Sequence, residues 1–198
     1  SAGQNFFTRK GSETLKVYNV INDINTLQNI NSNLIGNYVL GADIDATATS
    51  GWNNGQGFDS LGGVSGNFPH FTGKFDGLGH TISNLYINRI NEDYVGLFSN
   101  VAGLNAIVRN VGLVGGSIKG QNAVGAVAGW NRGGSIIESV YSTVQVEGTL
   151  VDVGGVVGRN VEGAIIRNSY SSGSVKGGGG TGTGTGGLVG ANNFSIIE

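Results

Sequence analysis

Few residues in this chain are equipped for chemistry. His70 and His80 are its two histidines. Neither opens a His-Glu-x-x-His pattern, which would set two zinc ligands on one face of a helix. Asp43 and Asp45 flank Ile44, so in a strand both carboxylates would share one face while Ile44 points the other way. With Asp59 and Asp76 added, two sharper readings arise. Calcium would need roughly six to eight oxygen ligands, and acid hydrolysis of a glycan would need two carboxyls across a cleft. Solvated turn carboxylates are the simpler reading, since Asp76-Gly77-Leu78-Gly79 before His80 has the composition of a tight turn. The sequence therefore assigns no catalytic residue, no metal ligand and no cofactor.

Aromatic residues offer binding instead. Tyr141 and Tyr170 stand 29 residues apart, and with Trp130 they are candidates for stacking on sugar rings, although Trp130 belongs to a different strand. Arg159 lies 29 residues after Trp130, where its guanidinium would cover the indole. Asn131, Asn160 and Asn192 recur once per repeat and are expected to fill left-handed turn positions. The stretch 177–187 reads GGGGTGTGTGG. It satisfies G-x-G-x-x-G trivially, without the strand-turn-helix context or lysine of a phosphate site, and reads as an inserted loop.

The elements that must position these residues follow from composition. The chain has 38 glycines, one proline (Pro69), no cysteine and no methionine, and only 12% charged residues. Such a chain favours short strands and tight turns over helices. A hydrophobic content of 38% suffices for a core. Without cysteine there is neither a disulfide framework nor a thiolate metal site. A net charge of -2 and scattered basic residues exclude a nucleic-acid footprint. No apolar run approaches the roughly 20 residues of a membrane span, and Ser1-Ala2-Gly3 does not begin a signal peptide.

A period of 29 residues organises the second half. Gly96, Gly125 and Gly154 are 29 apart, and Gly186 follows after 32, the extra length coming from the glycine-threonine insertion. Ala106-Ile107-Val108-Arg109-Asn110, Ser135-Ile136-Ile137-Glu138-Ser139 and Ala164-Ile165-Ile166-Arg167-Asn168 superpose at the same step. A third segment runs through Ile118, Val146 and Val175. Three short strands per unit describe coils of a parallel β-helix better than propeller blades. Stacking predicts alternating charge columns at Arg109, Glu138 and Arg167 and at Lys119, Glu147 and Lys176. It also predicts aliphatic columns at Ile107, Ile136 and Ile165 and at Ile118, Val146 and Val175. Residues 1–94 are less regular, with a short helix carrying Ile24, Leu27 and Ile30 after the possible cap Asn22, placed to cap or cover the stack. Residues 95–198 hold the regular repeats, within one continuous domain.

The blocks GNYVLGADID (36–45), FTGKFDGLGHTISNLYI (71–87), YVGLFS (94–99) and GGLVG (186–190) resemble the GLUG-repeat region of bacterial exoproteins, including filamentous-haemagglutinin-type adhesins. Gly112-Leu113-Val114-Gly115 spells the motif out of register. The resemblance implies a right-handed parallel β-helix in a secreted or cell-surface protein and, by association, a non-catalytic binding or scaffold role. Its partners would be surface glycans or proteins of a host or neighbouring cell. Stacking of open β-helix ends into a filament is the structural alternative, and polysaccharide cleavage the enzymatic one.

Overall fold

The computed structural model describes residues 5–8, 16–63, 69–179 and 184–198. It is an all-β, right-handed parallel β-helix, with one short α-helix among the described residues. Each regular coil visits five walls in turn. The first holds Val124–Gly125, Val153–Gly154 and Thr185–Gly186; the second Phe98–Ala102, Ala128–Arg132, Val157–Val161 and Val189–Asn193. The third is an 8-stranded sheet that runs from Asn5–Thr8 to Ile196–Ile197 and includes Ile107–Arg109, Ile136–Glu138 and Ile165–Arg167. The fourth includes Gly112–Val114, Tyr141–Ser142 and Tyr170–Ser171, the fifth Ser117–Gly120, Gln145–Gly148 and Val175–Lys176. Five segments replace the three expected because glycine and left-handed corners break the chain more often than hydrophobic pattern alone reveals. The out-of-register Gly112-Leu113-Val114 lies in the fourth wall.

The corners recur as faithfully as the strands. Tyr94, Ala123 and Asp152 take φ of 58°, 50° and 60° before the first wall. Asn110, Ser139 and Asn168 take 54°, 53° and 50° between the third and fourth. The expectation that Asn131, Asn160 and Asn192 fill such positions is overturned. They lie within the second wall, Asn131 and Asn160 wholly buried, and form a side-chain ladder: Asn131 Nδ2 donates to Asn160 Oδ1 and Asn160 Nδ2 to Asn192 Oδ1, each at 2.8 Å. The ladder satisfies amides that burial would otherwise orphan.

A second correction concerns the core. Val108, Ile137 and Ile166 are fully buried, whereas Ile107, Ile136 and Ile165 are half-buried. Residues two apart in a strand share a face, so the isoleucines stand beside Arg109, Glu138 and Arg167 on the outside. Ile118 and Val146 are buried as expected, with Val175 packed against them at the core's edge.

Both charge columns form. Arg109 reaches Asp76 at 2.8 Å and Glu138 at 3.8 Å, and Arg167 meets Glu138 at 2.6 Å. Lys119 and Lys176 lie 3.0 and 2.7 Å from Glu147. Hydrogen bonds from Lys176, then Lys119, hold the Glu147 carboxyl below the usual glutamate range. With its folded pKa depressed, Glu147 stabilises the fold above the ordinary glutamate value of about 4.3, and that contribution is lost as pH falls through the folded value. Glu147→Gln is therefore expected to lower the melting temperature by about 1–3 °C at pH 6 and by less at pH 3. An equal loss in thermal melts at both pH values would refute the ion-pair origin.

At the amino-terminal side, the helix Ile24–Gln28 and a 3-10 turn fill the crossover between the parallel strands Lys16–Ile21 and Asn37–Leu40, burying Ile24, Leu27 and Ile30. Its cap is Asp23 rather than Asn22: Asp23 Oδ1 accepts from the Asn25 and Thr26 N–H groups, both at 2.9 Å, and Thr26 Oγ1 closes a capping box. A carboxylate at this site also complements the helix dipole. Residues Asn5–Thr8 pair antiparallel with Lys16–Ile21 and cover its edge.

Candidate binding surface

Each of the four carboxylates has its own local work. Asp43 Oδ1 accepts from Thr81 N at 2.8 Å and faces His80 Nδ1 at 3.2 Å. The Thr81 N–H first, and His80 second, keep its pKa low. Asp45 is likewise lowered, chiefly by the Thr47 hydroxyl and N–H. Asp59 pairs with Arg89 at 3.2 Å. Asp76 accepts from Leu78 N at 3.0 Å, as its turn composition foretold, but it is buried rather than solvated and is held by Arg109 and by Asn110 Nδ2 at 3.0 Å. Ile44 points inward between exposed Asp43 and Asp45. Carboxylates biased toward ionisation, as Asp43 and Asp45 are, serve poorly as general acids. No group of three or more His, Cys, Asp or Glu is placed to hold a metal ion among the described residues.

The three predicted aromatics do not converge. Tyr141 and Tyr170 stack in the fourth wall with ring centroids 5.4 Å apart and planes 10° from parallel. Gly112, one coil earlier, leaves room for the Tyr141 ring, because a Cβ there would collide with it. A groove of about 490 Å³ beside Tyr141 is lined by Leu78, Gly79, Asn110, Val111, Gly112 and Ser139. Trp130 lies in the second wall and is half-buried, stacked on Tyr94 at 4.9 Å. Its cation is Arg132, whose guanidinium lies 4.5 Å from the ring centroid. Arg159, the expected partner, instead binds Asp152, with Nε 2.7 Å from Oδ2. The buried carboxylate of Asp152 captures it, Nε and Nη2 both meeting Oδ2, because a charge-assisted pair outweighs a cation–π contact. Arg132 also reaches His70 Nε2 at 2.8 Å, and burial, then this cation, depress the His70 pKa. His70 thus accepts from Arg132 and remains neutral near pH 7.

Sequence reading passed over Trp52. It lies where a coil is longer than the 29-residue period: Asn37 pairs with Lys74, a step of 37 residues. The added residues form the 3-10 turns Thr47–Gly51 and Asn53–Gly55. Trp52 stacks on buried Phe58 at 6.4 Å. Grooves of about 600 and 350 Å³ share it and Gln28 as lining. The signal was available in principle, as one of two tryptophans sits among Asn and Gln inside a break in the repeat.

Comparison with known proteins fits the coil geometry. The family described as "The GLUG motif" matches residues 150–176. Those residues are a GLUG repeat. The match begins just before Val153–Gly154 and ends at Val175–Lys176, so one motif is one full turn through all five walls. Halomucin of Haloquadratum walsbyi is 41% identical over 128 residues, 64% of this chain and 1% of halomucin. A "putative Gly-rich membrane protein" of Evansella cellulosilytica is 38% identical over 106 residues, 52% of this chain and 12% of that protein. The chain thus spans a small part of these curated relatives. A crystal structure from Bacteroides ovatus, described as a "putative immunoglobulin A1 protease", matches 90% of the chain and 64% of its own length, with a TM-score of 0.62 and 24% identity. At that identity the likeness speaks for fold alone.

Proposed function

We propose that this GLUG-repeat stack is a non-catalytic binding and scaffold module in the exposed part of a secreted or cell-surface protein. The carrying observation is structural repetition: one motif makes one coil, and the coils add length and lateral surface, while each candidate catalytic carboxylate is engaged in a turn or ion pair. The names of halomucin and the Gly-rich membrane protein, which point to surface or structural proteins, support the same reading. Its partners are glycans or proteins on a host or neighbouring cell. The Tyr141–Tyr170 stack is a proposed contact face, since Tyr170 is 59% exposed.

The test couples adhesion with chemistry. Beads coated with the purified chain are expected to adhere to cells or immobilised surface extracts, and Tyr170→Ala to weaken adhesion several-fold, with no shortening of polysaccharides during incubation. Cleavage abolished by Asp43→Asn or Asp45→Asn would overturn the non-catalytic reading. Sedimentation mass that rises with protein concentration would favour the filament instead.

A further inference from the structure

The surface around Trp52 combines an indole with amide side chains. The wider groove is lined by Gln28, Asn31, Asn53, Gln56, Asp59 and Arg89, and the narrower by Asn25, Gln28 and Asn29. Trp52 is half-exposed and joins the two inserted 3-10 turns, sharing a groove with Asn25, Gln28 and Asn29. Amide side chains, each both donor and acceptor, therefore surround an indole. The charged groups are paired rather than free: Arg89 binds Asp59 at 3.2 Å and Glu92 at 3.0 Å, and its Nε donates to Phe58 O at 3.2 Å.

The groove walls are fixed before any ligand arrives. Gln28 Nε2 donates to Asp59 O at 2.8 Å and Gln28 Oε1 accepts from Asp59 N at 2.9 Å, locking the helix to the coil beneath it. Asn31 Oδ1 accepts from Gly62 N, and Asn53 Nδ2 donates to Gly57 O, both at 2.8 Å. These bonds leave Asn31 Nδ2 and Asn53 Oδ1 uncommitted, together with the side-chain amides of Asn25, Asn29 and Gln56. Asn53 and Asn54 hold φ of 50° and 55°, a left-handed pair that turns the chain sharply after Trp52. A flat apolar face, neutral two-way hydrogen-bonding groups around it, and a pre-set backbone match a pyranose ring, which offers an axial C–H face and hydroxyls that donate and accept.

We propose that the Trp52 ridge and its two flanking grooves bind a neutral oligosaccharide, one sugar ring lying on the indole with its hydroxyls read by Asn31, Asn53 and Gln56. The assignment rests on the reading of the chain as a binding module and narrows it to one site and one ligand class. The site is separate from the Tyr141–Tyr170 stack, which lies on a wall of regular coils. Placement on the long coil agrees with the tendency of solenoids to carry recognition in insertions of a repeat.

The experiment is a panel of neutral oligosaccharides (β-glucans, mannans and galactans) with anionic glycans alongside, followed by tryptophan-fluorescence titration of those that bind. At least one neutral oligosaccharide is expected to bind, with affinity changing less than about two-fold between low and high salt, since no net charge is paired. Trp52→Ala should reduce affinity at least ten-fold. Gln56→Ala, an exposed change outside the core, should reduce it several-fold with an unchanged melting temperature, which covers the case in which loss of Trp52 disturbs folding. Trp130→Ala should retain binding. Absence of neutral-glycan binding, wild-type affinity in both Trp52→Ala and Gln56→Ala, or binding confined to anionic glycans and suppressed by salt would each overturn the assignment. Adhesion through Tyr170 or to a protein would survive all three outcomes, so failure here leaves the module reading standing.

Discussion

Gly154→Ala is expected to destabilise the stack by about 3 kcal/mol, at the upper end of overpacking costs. Gly187→Ala, one coil further along the chain, is expected to be neutral or stabilising by less than about 1 kcal/mol. Both residues belong to copies of the same Gly-rich motif, Gly187 standing one residue past Gly186, the partner of Gly154, and neither needs a positive φ. They differ in what a methyl group would meet. A Cβ on Gly154 would run into Val157 O within its own coil and into Gly190 N of the next coil, 2.6 Å away. At Gly187 nothing lies within 4 Å. Gly125 repeats the arrangement one coil earlier, its Cβ falling 2.6 Å from Gly158 N. The motif glycines therefore serve interlocking: the corner between the first and second walls of one coil nests against the backbone of its neighbour, and no side chain fits between them. Urea denaturation of the two variants checks this, with a lower midpoint for Gly154→Ala and an unchanged slope. Equal midpoints would show that the neighbouring coil yields to the methyl group, removing the explanation for the glycine.

The same comparison of copies explains what could be read in the sequence. Repetition made the coil legible, because residues separated by 29 positions had to stack, and the Glu138 and Glu147 columns formed with the partners that spacing implied. Orientation within a strand was less legible. Ile107 and Arg109 are two residues apart and share the outer face, so a column of isoleucine is not a core column when Val108 lies between them. Period tells which residues stack; only alternation tells which way they face. Turn chemistry was ambiguous for a different reason. Asparagine tolerates left-handed corners and also ladders in buried walls, and both uses recur at the repeat: Asn110 and Asn168 occupy corners, whereas Asn131 and Asn160 lie in a strand. The Trp52 grooves escaped because a search for repeats discards whatever fails to repeat. Arg159 escaped because its partner, Asp152, stands seven residues away in the same coil, not at the repeat distance.

Asn160→Asp tests the buried ladder, and about 3–5 kcal/mol of destabilisation at pH 7 is expected, the scale for leaving a buried charge uncompensated. Asn160 is wholly buried. Its Oδ1 accepts from Asn131 Nδ2, while its Nδ2 donates to Asn192 Oδ1 at 2.8 Å and to Ala164 O at 3.2 Å. Substitution keeps the shape and the acceptor but replaces the donor by a second oxygen, which then faces the Asn192 and Ala164 oxygens with no hydrogen between them. Ionisation adds desolvation of a charge to that repulsion. Both effects disfavour the carboxylate, so the folded-state pKa of the introduced group lies above its unfolded value of about 3.9. The sign of the linkage follows: the penalty grows as pH rises above the unfolded value and shrinks toward acid pH, where the protonated acid restores a donor. Asn160→Leu provides the contrast, because it removes the Asn160 acceptor from buried Asn131 Nδ2 at every pH, while exposed Asn192 turns to water, and should cost about 1–3 kcal/mol for the one group left unsatisfied, without that pH slope. Chemical denaturation of both variants between pH 4 and pH 8, each referred to the wild-type curve, separates the two mechanisms. A pH-independent loss in Asn160→Asp would mean that water reaches the ladder and solvates the carboxylate, and the second wall would then be a wet seam in place of a dry one.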